Sequence, residues 1–346
     1  MTIGPAPWQT IAMTYPRKEI APPGQPGHFH VVTRCVRRAF LCGTDKFSGR
    51  DFDHRRQWIE DRIRLLADSF AVSVFSYAVM SNHTHIVLHV DPDQASTWSD
   101  EEAARRWLAA FPGALRGAET AEQAERAVLS LISTPKRLQK LRERLGSLSW
   151  FMRALNEPIA RMANKEDGCS GRFWEGRYKC QALLEEQAVL SAMAYVDLNP
   201  VRAAMADTLM ESDHTSVQSR LKEREGSRQP QKNLLERPLK PVAGLDSDAL
   251  LNMTEASYIE LVQWTGEQAR PDKRGKLQSD IPPAALWAVA KHPRQWVRQV
   301  QGTESAYYRA IGSAEALMLK AKELKQHWMK GVCGERARQL LAQQQE

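Results

Sequence analysis

The sequence predicts a mixed α/β core followed by a linker and a helical tail. Three observations carry that reading. Apolar residues cluster in strand-like runs along Phe29–Val36 and from Val72 to Val90. Between these runs, Trp58, Ile59, Ile63, Leu66 and Phe70 recur at helical spacing, with Arg and Asp between them. Beyond about residue 246 the chain reads as mostly helical and carries Trp264, Trp287, Trp296 and Trp328.

Taken in order, residues 1–28 are rich in Pro and Gly and read as a loosely held arm. The first strand, Phe29-His30-Val31-Val32-Thr33-Arg34-Cys35-Val36, is followed by Gly43 and then by a helix over roughly Asp53–Phe70. The polar turn Ser81-Asn82 divides the next β-rich stretch in two. Residues 97–148 are charged and Ala-rich, with Pro112-Gly113 and Pro135 as breaks, and read as a helical insertion or lid. A helix over Ser149–Asn164 leads through a Gly-containing loop to the aromatic-basic segment Arg172–Lys179. A further helix, about Glu185–Leu198, stops near Asn199-Pro200. Residues 216–245 read as a basic linker, since Ser219–Lys240 holds seven basic residues against three acidic. Residues 246–346 form the expected helical C-terminal domain.

A chain of 346 residues suits about two domains of ordinary size. At 42% hydrophobic and 26% charged it can bury a real core. A mean hydropathy of −0.49 and the lack of a long apolar run exclude a membrane-spanning helix. No apolar h-region precedes a small-residue cleavage site near the N-terminus, so secretion is not expected. Five scattered cysteines without a Cys-x-x-Cys pair fit a reduced cytoplasm and neither a disulfide framework nor a zinc finger. Lys and Arg outnumber Asp and Glu by 48 to 41, which points weakly toward a polyanionic partner, nucleic acid first.

Three motifs could carry chemistry. In Ser81-Asn82-His83-Thr84-His85-Ile86-Val87-Leu88-His89-Val90, alternation puts His83 and His85 on one face of a strand, with Ile86, Leu88 and Val90 on the other. Two imidazoles so placed can share one divalent metal; the bland reading is a pair of half-exposed strand histidines. His89 lies on the same face, and periodicity leaves its part open. In Tyr195-Val196-Asp197-Leu198-Asn199-Pro200, Tyr195 and Asn199 stand one helical turn apart. Facing a metal, the tyrosine could act as nucleophile and the asparagine as ligand, although a helical tyrosine is far more often a core residue. In Gly171-Arg172-Phe173-Trp174-Glu175-Gly176-Arg177-Tyr178-Lys179, aromatics and cations interleave as they do where bases stack and phosphates pair. A packed β-hairpin with Trp174 in the core explains that pattern equally well.

These motifs in this order, with the strand from Phe29 to Arg34 ahead of them and Val201-Arg202-Ala203 behind, resemble the single-tyrosine HUH transposases, and within them the REP-associated tyrosine transposase group. The resemblance spans residues 29–215, with 97–148 inserted relative to compact members. It implies an α+β fold, a ferredoxin-like antiparallel sheet with helices on one face. It implies that His83, His85 and Asn199 bind Mg²⁺ or Mn²⁺ and that Tyr195 is the nucleophile. The DNA-contacting residues it suggests are Arg34, Arg172, Phe173, Trp174, Arg177, Tyr178 and Lys179. Thr84 stands where the family usually has a hydrophobic residue, on the face away from the metal.

The implied activity is cleavage and rejoining of single-stranded or hairpin DNA through a 5′-phosphotyrosine, in the cytoplasm and at the nucleoid. A homodimer is among the expectations, because some relatives in the wider superfamily exchange helices. Two other readings compete. A regulator that binds DNA without transposing would keep the fold but has no need of Tyr195. A metal phosphodiesterase that uses water would keep the histidines and be indifferent to Tyr195→Phe.

Overall fold

The computed structural model describes residues 16–36, 41–45, 49–115, 120–227, 231–269, 281–305 and 309–334. Its centre is a sheet of six strands: β1 (Gly27–Arg34), β2 (Val72–Val79), β3 (His83–Val90), β4 (Lys179–Leu183), β5 (Ala243–Gly244) and β6 (Ala310–Ile311). The spatial order is β5-β2-β3-β1-β4-β6. Neighbours run antiparallel except β4 and β6, which are parallel. The expectation of an antiparallel sheet therefore holds for the four long strands, and the complete sheet is mixed.

Those four strands follow a β-α-β-β-α-β path in the order β2-β3-β1-β4, a ferredoxin-like arrangement. The helix His54–Ser69 links β1 to β2 and buries Ile59, Ile63 and Leu66, three of the five periodic positions read from the sequence. The helix Leu148–Glu166 precedes β4 and donates from Asn156 to Thr33 of β1. These two helices pack on each other on the Phe29, Val31 and Thr33 face. A third helix, Glu186–Asp197, covers the opposite face, so the expectation of helices on one face fails. The reason is visible in the sequence of that helix. Ten of its residues, Ala188–Asp197, are buried, and such a surface needs cover on all sides.

Between β3 and the helix Leu148–Glu166 stand the helices Pro92–Thr97, Asp100–Ala110, Ala121–Ile132 and Pro135–Leu145. Leu108, Val128, Leu131, Leu138 and Leu141 give the last three a small core of their own, while Ala95 of the first joins the main one.

The residues past 215 are built into the same body. Both two-residue edge strands come from this part, and Tyr258, Leu261, Val262 and Trp296 belong to the hydrophobic interior that contains Phe29 and Ile86. The stretch expected to be a linker contains the helix Ser216–Gly226, whose Arg220 makes a 2.9 Å ion pair with Glu255; both side chains are buried. At the other end, residues 1–15 of the expected arm lie outside the described residues. Its later part is tied down, because Arg17 sits 3.7 Å over the Tyr178 ring and Glu19 pairs with Arg309 at 3.2 Å. Among the described residues no helix is long and apolar enough to cross a membrane.

Candidate active site

The β2–β3 hairpin turns through Ser81 and Asn82, where the Met80 N–H donates to the His83 carbonyl. That turn fixes the register of β3 against β2, and β3 pairs on its other edge with β1. Arg34 stands opposite His83, and Val32 stands opposite both His85 and Lys179. Directly opposed residues share a face, so Arg34, His83, His85 and Lys179 all look toward the helix Glu186–Asp197. From that helix Tyr195 meets the histidines edge-on. Its ring centroid is 5.8 Å from His85 and 6.1 Å from His30. Asn199 opens the next short turn, Asn199–Arg202, and places its amide 3.1 Å from His85 Nε2. The rings of His83 and His85 are 4.8 Å apart. The four residues singled out from two distant motifs thus converge.

A chain of hydrogen bonds behind His85 sets which of its nitrogens is free. Gln181 Nε2 donates to the Thr303 carbonyl at 3.1 Å, so Gln181 Oε1 is left to accept from His30 Nδ1 at 2.9 Å. His30 is fully buried, and burial lowers its pKa, so its ring is neutral and Nε2 carries a lone pair. His85 Nδ1, 3.0 Å away, must then donate to it. Burial, and after it the neighbouring His30 and His83, hold His85 well below the usual histidine range. Its single proton is therefore on Nδ1, and Nε2 faces Asn199 with a lone pair. His83 is anchored through Nδ1 to Asn82 Oδ1 at 2.6 Å, and burial lowers its pKa to about 4.

Neutral imidazoles are what metal ligation requires. The side chains that could share a divalent cation are His83, His85 and Asn199, the last after an amide flip that turns its oxygen toward His85. Two imidazoles and an amide oxygen form a donor set compatible with such an ion. Among the described residues no group of three or more His, Cys, Asp or Glu could hold one.

Two further groups bear on Tyr195. The Arg202 guanidinium lies 4.7 Å from its ring centroid. Glu304, from the turn after the helix Pro293–Gly302, brings Oε1 to 3.8 Å from His85 Nδ1. Tyr195 is 6% exposed; burial first, and Glu304 second, raise the pKa of its hydroxyl, while Arg202 opposes them. Sequence reading assigned no role to His30, Gln181, Arg202 or Glu304. His30 alone left a signal, as the strand residue two positions from Val32 on the same face.

The aromatic-basic segment divides. Arg172, Arg177 and Lys179 are exposed. Phe173 and Tyr178 are in the core at 3% and 8% exposure, which leaves no open ring face for a base and corrects their expected role as stacking platforms. Trp174 is partly buried and donates from Nε1 to the Asn156 carbonyl at 2.8 Å. Phe173 and Tyr178 are thus packing residues, but the segment is not a hairpin: Trp174 bridges Cys35, just past the end of β1, and is only half-buried rather than in the core. His89 stands toward the other end of β3, with its ring 4.4 Å from His28, and takes no part in the site.

No family model matches the chain, and no curated protein does. Among solved structures, a REP-associated tyrosine transposase bound to a REP hairpin matches 57% of this chain and 79% of its own, at 8% identity and a TM-score of 0.29. So distant a likeness leaves the reading of the site to its own residues.

Proposed function

We propose that the chain is a metal-dependent nickase and strand-transferase acting on single-stranded or hairpin DNA, with Tyr195 as nucleophile. The observation that carries this reading is the convergence of Tyr195, His83, His85 and Asn199 on one face of the sheet, under a rim of Arg34, Lys179 and Arg202. A divalent cation, Mg²⁺ or Mn²⁺, held by His83, His85 and Asn199 would polarise a phosphate oxygen. The chain's own residues do the rest. His30 and Gln181 hold His85 with Nε2 outward, and the cationic rim draws the backbone phosphates. Tyr195 attacks phosphorus in line; a Tyr195 O–P bond forms and the P–O3′ bond breaks. The products are a free 3′-hydroxyl and a 5′-phosphotyrosine. Attack by a second 3′-hydroxyl reverses the step and joins strands without ATP.

The buried state of Tyr195 favours one alternative, a regulator that binds DNA and keeps the fold without cutting. The two readings separate at metal-dependent cleavage by the wild type, which the regulator would lack, and His83→Ala then tests the ligand assignment. The nickase reading expects loss of metal-dependent cleavage with much of the hairpin binding retained, and full cleavage by this variant would remove the ligand assignment. A homodimer and a nucleoid location belong to the same proposal, with sedimentation of the purified protein as the test of the first.

A further inference from the structure

We infer that a basic cleft in the C-terminal part, with Trp328 at its mouth, binds the single-stranded DNA flanking the cleaved phosphate; this rests on the DNA-processing reading above. The cleft has a volume of about 430 Å³ and is lined by Arg309, Lys325, His327, Trp328 and Lys330, among others. Trp328 is 52% exposed, unlike Trp264 and Trp296, which are core residues. An open indole beside lysines is the arrangement that single strands use. The ring stacks on a base of any kind while the ammonium groups take phosphates.

The position of the cleft fits a continuation of the site. Lys330 Nζ donates to the Ser305 carbonyl at 3.0 Å, and Ser305 adjoins Glu304, the carboxylate that reaches His85. Thr303, one residue further back, accepts from the Gln181 that orients His30. On the other side Arg309 leads into β6, which pairs with β4 and so with the strand that carries Lys179. Thr303, Glu304 and Ser305 therefore touch the site through Gln181 and His85 and the cleft through Lys330. A strand leaving Tyr195 on that side meets Trp328 and the two lysines next. Not every cation here is available: Arg309 is already paired with Glu19, and Lys320 with Glu323. Lys325 and Lys330 are the exposed lysines of the cleft, the second of them also bonded to Ser305.

The backbone adds an independent observation. The helix Ala314–Glu323 ends in a Schellman turn, with Gln326 N–H donating to the Ala321 carbonyl and Lys325 N–H to the Lys322 carbonyl. The left-handed position of that turn normally takes glycine, yet Lys325 occupies it at φ 54°. A strained residue that only its surroundings hold in place directs attention to what its side chain does. Here it sets an ammonium group at the cleft.

The test uses the Tyr195→Phe protein, which can bind but not cut, and fluorescein-labelled hairpin oligonucleotides with single-stranded flanks of different length on either side. Trp328→Ala should weaken binding about ten-fold for oligonucleotides whose flank reaches the cleft, and not for those without that flank. Trp328→Phe should retain most of the affinity. Lys325→Gly relieves the backbone strain, so it should raise the melting temperature while weakening the same long-flank binding. Unchanged long-flank affinity in both Trp328→Ala and Lys325→Gly would overturn the proposal and leave the Tyr195 chemistry standing. A change in oligomeric state with Trp328→Ala, and none in DNA affinity, would make the face a protein contact and overturn it too. If the parent binds no oligonucleotide and the wild type forms no covalent adduct, the DNA-processing reading falls and takes this one with it.

Discussion

His30 Nε2 lies 3.0 Å from His85 Nδ1, and this contact decides the chemistry that His85 can do. With Gln181 holding the far side of His30, the proton between the two rings belongs to His85. The nitrogen turned toward Asn199 keeps its lone pair. Outer partners of this kind set the tautomer and basicity of a ligating histidine, and removing one typically costs about 10–100-fold in metal affinity.

His30→Ala and Gln181→Ala should therefore each weaken Mn²⁺ binding by about ten-fold or more, measured by titration calorimetry. In the wild-type protein without metal, nitrogen NMR of the histidine rings should show His85 protonated on Nδ1 alone. A proton on Nε2 would break the relay argument.

Glu304 sets a negative charge beside the tyrosine and the histidines. Its replacement in Glu304→Gln should lower the pH at which Tyr195 ionises, read as the ultraviolet difference between variants with and without Tyr195→Phe. The same change should strengthen binding of single-stranded DNA several-fold at low salt, because a carboxylate repels the incoming phosphate. Equal affinity in both proteins would mean that Glu304 turns away once DNA is bound.

Stability should fall on mild acidification. Burial holds His28 and His83 at about 4, against 6.5 for an ordinary histidine. Both remain neutral in the fold down to that value, whereas the unfolded chain takes up their protons from about pH 6.5 downward. Within this window the unfolded state binds more protons, so stability is complete above it and declines as the pH drops through it. Melting temperatures at pH 7.5, 5.5 and 4.5 should show the decline. His28→Gln should flatten part of it; an unchanged slope would exclude His28 as a contributor.

Asp197 fastens the tyrosine helix from below. Its buried carboxylate accepts hydrogen bonds from Ser76 at 3.0 Å, Ser216 at 2.5 Å and Tyr258 at 2.6 Å, joining β2, the helix Ser216–Gly226 and the helix Glu255–Ala269. Asp197→Ala would take the acceptor from the buried Tyr258 hydroxyl and a partner each from Ser76 and Ser216, of which Ser216 keeps the Tyr77 carbonyl within reach. It should destabilise the protein by about 3 kcal/mol in urea unfolding. A loss under ~1 kcal/mol would mean that water enters and replaces the carboxylate.

The parts of this site that could be read in the sequence obey local periodicity. His83 and His85 share a face because strands repeat every two residues, and Tyr195 and Asn199 lie one turn apart. His30, Gln181 and Glu304 join them only through strand pairing and packing between distant segments, which no local pattern encodes. The aromatic-basic segment shows the opposite problem. Phe173 and Tyr178 read the same whether they stack on bases or fill a core, and burial alone distinguishes the two. The edge strands Ala243–Gly244 and Ala310–Ile311 are too short to have a period. For that reason a stretch that looked like a linker and a tail folds into the sheet.

The central claim is that Tyr195 becomes covalently joined to DNA. The direct measurement incubates wild-type and Tyr195→Phe proteins with labelled single-stranded oligonucleotides copied from both flanks of the gene, in Mn²⁺, and runs them under denaturing conditions. The account predicts a denaturation-resistant protein–DNA adduct with the wild type that disappears with Tyr195→Phe and with chelator. An adduct or cleavage product that persists in Tyr195→Phe, or DNA binding without any adduct across all the flank sequences, would contradict it.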